Sequence, residues 1–162
     1  MRDEELKDII AAYGERLSRY AVTILASFHD AEDIVQEVFI AAYEKRESFD
    51  GDNLGAWLYR ITYNRCINHA KRRKFALFAE PPEPAARRDA GFGFNENTLN
   101  ALRRLKPMER ALIHGRVMDE RSYEDLAREF NASPTALRKR YERAKKKLAG
   151  YIAESREELE YE

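Results

Sequence analysis

Aromatic, amide and cationic side chains are interleaved along residues 57–73, a mixture that suits contact with unpaired bases. Aromatic rings stack on bases, amides hydrogen-bond to base edges, and cations neutralise the phosphate backbone. Asn64 and Asn68 are one helical turn apart and would share a face, and the loop from Phe49 to Asn53 would wall a base pocket. The alternative is that Trp57 belongs to the core, because its neighbours are apolar. The members of the set are Trp57, Tyr59, Arg60, Tyr63, Asn64, Arg65, Asn68, Lys71, Arg72 and Arg73.

Residues 122–148 follow the pattern helix, three-residue turn, helix, which is typical of a helix-turn-helix. Ser122 and Ser133 stand at expected N-cap positions, and Pro134 suits the first position of the second helix. One side of that helix is apolar and would face inward. The other is basic and would enter the major groove, where Lys and Arg donate to guanine and Glu142 accepts from cytosine. The alternative is a soluble amphipathic helix with a basic surface.

The two sides of this last helix separate clearly at about 100° per residue. The inward residues are Leu137, Tyr141, Ala144 and Leu148. The outward residues are Thr135, Lys139, Glu142, Arg143 and Lys146, with Arg138 and Lys145 on a flank.

A further stripe lies on the predicted second helix, opposite its apolar face. It consists of Asp33, Gln36, Glu37 and Ile40, which recur at helical spacing. An acidic stripe that ends in an exposed apolar residue can bind a basic helix of another protein. Ordinary solvation of the helix is the alternative.

The formal net charge of zero conceals a segregation of charge along the chain. Residues 1–53 carry 13 acidic and 6 basic side chains, a net of −7, and residues 54–80 carry 6 basic and 1 acidic, a net of +5. Residues 98–150 carry 14 basic and 7 acidic side chains, a net of +7. Two basic stretches beside acidic ones indicate two contacts with polyanions and a basic protein partner, unless they are solvated helix faces.

Helical periodicity on both sides of a proline- and glycine-containing segment predicts an all-α chain of two small helical domains, the second a helix-turn-helix domain. Three helices precede the segment, with Asp30 as the N-cap of the second, and four follow it. Three of the five prolines fall in the segment, which predicts a flexible linker. The predicted boundaries are 1–75 for the first domain, 76–97 for the linker and 98–162 for the second domain.

Several classes of function are disfavoured by the sequence. No apolar run reaches the roughly 20 residues needed to cross a bilayer, and the acidic N-terminus lacks a secretion signal, so we expect a cytoplasmic protein. The single cysteine, Cys66, agrees with a reducing compartment. His29, His69 and His114 lie far apart, and no phosphate loop or nucleophile motif is present. We therefore expect no enzyme activity, no metal and no cofactor.

Three motifs, in order along nearly the whole chain apart from the linker, resemble sigma factors of bacterial RNA polymerase. Residues 30–39, DAEDIVQEVF, are similar to their clamp-binding helix. Residues 56–61, AWLYRI, with the later Asn64-Arg65 and Lys71-Arg72-Arg73, resemble the helix that recognises the melted −10 promoter element. Residues 122–127 with 137–144 are similar to the −35 helix-turn-helix. The short length and lack of a middle domain resemble the extracytoplasmic-function (ECF, group IV) class.

The resemblance implies a factor that directs promoter-specific transcription initiation. Its partners would be the clamp coiled coil and flap of core RNA polymerase, promoter DNA, and an anti-sigma factor. The polymerase contacts are expected from Asp33, Gln36, Glu37 and Ile40. The −10 contacts are expected from Phe49, Trp57, Asn64, Arg65, Asn68, Lys71 and Arg72. The −35 contacts are expected from Thr135, Arg138, Lys139, Glu142, Arg143 and Lys146.

Two features depart from the family pattern. Lys139 and Glu142 stand where relatives often carry a small polar and an apolar or aromatic residue, so no particular −35 sequence is predicted. The acidic tail from Glu154 to Glu162 is not part of the shared motif and has no assigned role. Two other functions stay open: a DNA-binding regulator that ignores polymerase, and an interaction module such as a sequestered antagonist.

Overall fold

A computed structural model describes residues 3–76 and 95–160 of the chain. The chain divides into two compact units, Met1–Ala86 and Arg87–Glu162. The described residues form seven α-helices and one short 3-10 turn, with no strand among them. The predicted all-α fold class is therefore confirmed.

Most of the predicted linker lies outside the described residues, including its two aromatic residues after the prolines, Phe92 and Phe94. The first helix after it already begins at Glu96, because the Asn95 side chain accepts a hydrogen bond from the Thr98 amide at 2.8 Å. The two domain boundaries stay a prediction.

Three helices form the first unit: α1 spans Asp3–Leu25, α2 spans Phe28–Glu44 and α3 spans Leu54–Ala76. Each of the three packs against the other two, so the unit is a three-helix bundle. Each helix carries an apolar stripe, and burial of the three stripes against one another forms the core. The fully buried side chains include Leu17, Tyr20, Ile24, Ile34, Val38 and Leu58.

Helix α2 begins earlier than the sequence pattern predicts. The chain turns at Ala26, which has a φ of 50°, and the Ser27 hydroxyl then accepts a hydrogen bond from the Asp30 amide at 3.3 Å. The prediction of Asp30 as the N-cap is therefore wrong, because Ser27 holds that position. Asp30 lies in the first turn instead, where its carboxylate forms an ion pair with Arg73 of α3 and lies 3.4 Å from the His69 ring.

Four helices form the second unit: α4 spans Glu96–Arg103, α5 spans Pro107–Val117, α6 spans Tyr123–Phe130 and α7 spans Pro134–Glu160. Helices α4, α5 and α6 each pack against α7. The long helix α7 is therefore the common support of this unit, and its exposed side is left for other contacts.

The turn between α6 and α7 has the predicted caps. The Ser122 hydroxyl accepts from the Asp125 amide at 3.1 Å, and the Ser133 hydroxyl accepts from the Ala136 amide at 3.1 Å. Asn131 ends α6 in the left-handed conformation, with a φ of 51°, which asparagine tolerates better than most residues. These three local features fix the angle at which α7 leaves the turn.

Helix α7 is longer than predicted, because it continues through most of the acidic tail to Glu160. Its inward stripe extends to Tyr151, which packs against the apolar core of the unit. Arg104, the C-cap of α4, forms an ion pair with Glu154 at 2.6 Å, and its guanidinium lies 3.9 Å from the centroid of the Tyr151 ring. Glu154, the first residue of the tail, therefore contacts the C-terminal end of α4.

A buried ion pair supports the helix-turn-helix. Arg121, just before α6, pairs with Glu129 in the last turn of α6, and their side chains are 13% and 2% exposed. Removing one member of such a pair costs about 3–5 kcal/mol. We expect Arg121→Ala to speed amide hydrogen exchange in α6 and to lower the Tm. The double variant Arg121→Leu, Glu129→Leu should recover most of the loss, and unchanged exchange in Arg121→Ala would contradict the prediction.

Candidate nucleic-acid interface

Helix α3 carries Trp57, Asn64 and Asn68 of the predicted base-contacting set on the side that faces away from the bundle. Tyr59 and Tyr63 of the same set are buried in the bundle instead, so that part of the prediction is wrong. At 3.6 residues per turn, Trp57, Asn64 and Asn68 fall within about 40° of one another around the helix axis. Asn64 and Asn68 are exposed and Trp57 is half-buried. Leu58 and Thr62, on the other side of α3, are fully buried. We call Trp57, Asn64 and Asn68 the α3 stripe.

The loop before α3 lies against one end of this stripe. The ring of Phe49 packs on that of Trp57, with 5.0 Å between centroids and 34° between planes. The Asn53 side chain accepts a hydrogen bond from the Ala56 amide at 3.0 Å, which caps the start of α3. Trp57 is thus covered in part by Phe49, and the two rings form an aromatic surface next to the exposed amides.

The C-terminal turns of α3 are basic, and their cations are used in two ways. Arg73 forms an ion pair with the half-buried carboxylate of Asp30, whereas Lys71 and Arg72 are exposed. Burial and, less strongly, the Arg72 guanidinium lower the pKa of His69, so its ring is neutral at neutral pH. Lys71, Arg72 and Lys74, which is also exposed, are therefore the cations of these turns that a phosphate backbone can reach.

The acidic stripe of α2, which comprises Asp33, Gln36, Glu37 and Ile40, is exposed along its whole length. Ile40 is 59% exposed, more than any other large apolar side chain that the structure describes. Glu37 meets Arg65 of α3, with 3.4 Å between its Oε2 and the Arg65 Nη1. The contact joins a residue expected to bind polymerase to one expected to bind DNA, and the sequence did not predict it.

The apolar and the basic residues of α7 lie on opposite sides of the helix, as predicted. Leu137 and Ala144 are fully buried, and Tyr141 and Leu148 are half-buried against the core. The residues expected to contact duplex DNA are all exposed: Thr135, Arg138, Lys139, Glu142, Arg143 and Lys146. This basic face follows directly from the capped turn, so its N-terminal part is free to approach a groove.

The structure also brings together side chains that the sequence did not associate. The guanidiniums of Arg116 and Arg138 lie 4.3 and 5.4 Å from the centroid of the Tyr123 ring. These residues come from α5, α7 and α6, and arginine and tyrosine are ordinary residues on half-exposed surfaces. No local pattern could have indicated the contact, because it depends on how three helices pack.

Comparison with known proteins assigns the family. Residues 9–76 match the family model for Sigma-70 region 2, and residues 95–148 match that for Sigma-70 region 4. The ECF RNA polymerase sigma factor SigM of Mycobacterium tuberculosis is 30% identical over 143 residues, which cover 85% of this chain and 73% of SigM. The chain belongs to the ECF family of RNA polymerase sigma factors.

Other members of the ECF family match over most of this chain. The ECF RNA polymerase sigma factor SigE of Mycolicibacterium smegmatis is 26% identical over 156 residues, which cover 90% of this chain. The match spans 61% of the length of SigE.

Two solved structures of sigma-factor complexes have the same fold. The sigma factor RpoE in complex with the anti-sigma factor NepR, from Bartonella quintana, has a TM-score of 0.79 and 25% identity, with 93% of this chain and 98% of that chain covered. CnrH in complex with the cytosolic domain of CnrY has a TM-score of 0.68, 23% identity, and coverage of 94% and 90%. At that identity, the likeness to CnrH supports the fold alone.

Two further titratable side chains, those of Cys66 and His114, lie in the interior of the protein. Cys66 is buried, and burial raises the pKa of its thiol. His114 is buried and lies 3.3 Å from Asp119. In the part of the chain that the structure describes, no three His, Cys, Asp or Glu side chains are placed to hold a metal ion. Within the same residues, no helix combines the length and apolarity needed to cross a membrane.

Proposed function

We propose that this ECF sigma factor directs promoter-specific transcription initiation, and that it binds the −10 element as a melted single strand and the −35 element as duplex. One observation carries the proposal: Trp57, Asn64 and Asn68 form a single outward stripe next to Phe49. Bases that leave a duplex need stacking surfaces and hydrogen-bonding edges, and this stripe offers both. The proposed role is to bind the melted −10 strand and the −35 duplex, and it needs no catalytic residue.

Docking on core polymerase is assigned to the acidic stripe of α2. Its carboxylates suit a basic helical partner, which we propose is the clamp coiled coil of the largest subunit. Ile40 supplies an apolar anchor at the C-terminal end of this stripe. Because α2 packs directly on α3, docking of α2 would also set the position of the α3 stripe relative to melted DNA.

Capture of an unpaired base would couple sequence recognition to strand opening. Unstacking a base costs a few kcal/mol, which contacts in the pocket and polymerase binding would offset. Asn64 and Asn68 would hydrogen-bond to the extruded base, and Lys71 and Arg72 would follow the backbone. Arg65 would exchange its partner Glu37 for a phosphate as Glu37 meets polymerase.

Recognition of the −35 element is assigned to the exposed side of α7. Its N-terminal turns would lie in the major groove of intact duplex, where Lys139 and Arg143 can reach guanine acceptors and Glu142 can accept from cytosine. Further cations on this side would neutralise phosphates and set the orientation of the helix.

Regulation by a protein partner is part of the proposal. In its solved complex RpoE is bound to the anti-sigma factor NepR. By analogy we propose that an anti-sigma factor binds this chain. We also propose that the second unit of the chain contacts the polymerase flap. The proposed role places the protein in the cytoplasm and among the group IV sigma factors.

Reconstituted transcription tests the proposed function. The chain is mixed with bacterial core RNA polymerase and a library of promoters, and run-off transcripts are sequenced. We expect co-migration with core polymerase and transcripts that start downstream of a shared pair of elements. DNA binding without co-migration would instead support a plain DNA-binding regulator, and co-migration without transcripts would support an antagonist.

Arg138→Ala is expected to weaken recognition of the −35 element by about tenfold at fixed salt, which corresponds to roughly 1.4 kcal/mol. Arg156→Ala is the matched control, because Arg156 is exposed on the same flank of α7 and lies 18 residues further along the helix. Duplexes enriched from the library, with intact and altered −35 elements, give the selectivity of each holoenzyme. Equal selectivity of the Arg138 and Arg156 variants would contradict the assignment.

A further inference from the structure

Two arginines and two tyrosines form a cluster at the base of the helix-turn-helix. Of these four residues, the proposed function assigns a role to Arg138 alone. The arginine–tyrosine cluster comprises Arg116 at the end of α5, Tyr123 at the start of α6, and Arg138 and Tyr141 on α7. Its rings are half-buried, and Arg138 is exposed at its outer edge. The cluster thus connects the interior of the unit to the side of α7 that would face DNA.

The inner part of the cluster is held from several directions. Arg116 donates from Nη1 to the Arg121 carbonyl at 2.7 Å, and its guanidinium lies 4.3 Å from the Tyr123 centroid and 5.9 Å from that of Tyr141. The two rings also meet edge to face, with 6.3 Å between centroids. Tyr141 belongs to the side of α7 that packs on the core. The Tyr123 ring is therefore a fixed platform.

The outer part of the cluster is Arg138, whose guanidinium lies 5.4 Å from the Tyr123 centroid. An exposed arginine on a helix has many rotamers, and ordering them on binding weakens affinity. A cation–π contact with a fixed ring restricts these rotamers before DNA arrives. Arg138 is the exposed member of the cluster, so restriction of this side chain acts directly on the DNA-facing surface.

We infer that Tyr123 is a positioning residue for promoter recognition, which holds the Arg138 guanidinium in place for the −35 duplex. The inference rests on the proposed function, because it takes Arg138 as a DNA contact. The required feature is the aromatic face of Tyr123. Its hydroxyl is not required, so phenylalanine in its place should serve as well.

A double-mutant cycle on the holoenzyme tests the inference. Tyr123→Leu removes the ring, and Tyr123→Phe retains it. The dissociation constant for duplexes enriched from the promoter library is measured at one salt concentration. We expect Tyr123→Leu to weaken binding about two- to fivefold, the range of an exposed cation–π contact, and Tyr123→Phe to bind like the parent. In the Arg138→Ala background, Tyr123→Leu should have no further effect.

The matched control is Tyr151→Leu, which removes a second cation–π contact of this unit, that with Arg104 at 3.9 Å. It should leave −35 binding unchanged, and the Tm of each variant shows how far the fold is affected. An equal effect of Tyr123→Leu with and without Arg138 would overturn the inference, because the ring would then act on DNA or on the fold directly. Failure of Arg138→Ala alone to weaken binding would instead count against the proposed −35 role of Arg138.

Discussion

Alanine in place of Asn64 or Asn68 is expected to lower open-complex formation by about tenfold to a hundredfold, while binding to core polymerase changes by less than about twofold. Loss of one partner of a hydrogen bond in a desolvated site costs about 1–3 kcal/mol, and tenfold corresponds to about 1.4 kcal/mol. Both amides are exposed on α3 in the free chain, so their loss removes no buried contact. The effect should therefore appear when a base is captured and not when the protein folds.

Permanganate footprinting of unpaired thymines measures open complexes, and a pull-down measures binding to core polymerase. Asn100→Ala serves as the control, because Asn100 is also an exposed helical asparagine but lies on α4 of the second unit. Equal losses in the footprint and in the pull-down would show that the two α3 amides act through polymerase binding. The proposed capture of a base would then be wrong.

The number of helices in the described residues and the buried sides of α2 and α7 could be predicted from the sequence, because an apolar stripe is a local property of each helix. The buried side of α3 could not, because it includes Tyr59, Thr62 and Tyr63, whose types also suit a surface that binds bases. The wheel for α7 placed Leu137 and Ala144 inside and Lys139 and Arg143 outside, and the burial of each agrees. The start of α2 was predicted wrongly because serine and aspartate are equally good N-caps, and Ser27 lies only three residues before Asp30.

Contacts between helices could not be predicted, because they depend on the register in which one helix packs against the next. The Glu37–Arg65 ion pair spans 28 residues of sequence, and that between Arg104 and Glu154 spans 50. The charge pattern of the sequence predicts that each of these four side chains lies on the surface. It does not predict which of them pair with each other. The contact of Glu154 in the acidic tail was missed for the same reason, since its partner Arg104 lies at the end of α4.

Charge reversal on the acidic stripe is expected to weaken polymerase docking strongly, with little effect on the fold. Glu37→Arg places a cation where a basic partner is proposed, and like charges across an interface cost several kcal/mol, so affinity for core polymerase should fall at least tenfold. The ion pair with Arg65 contributes about 0–1 kcal/mol to the free energy of unfolding, because its side chains are 49% and 39% exposed. The Tm should therefore shift by only a few degrees.

A charge swap separates docking from the contact inside the protein. The double variant Glu37→Arg, Arg65→Glu restores an ion pair between α2 and α3 but keeps the wrong charge on the polymerase-facing stripe. We expect its Tm to return to that of the parent while its affinity for core polymerase, measured by fluorescence anisotropy, stays low. Glu47→Lys, an exposed change of the same sign outside the stripe, should bind normally. Recovery of polymerase binding in the swap would mean that Glu37 acts through Arg65 alone, since the restored pair is the one feature that the swap regains.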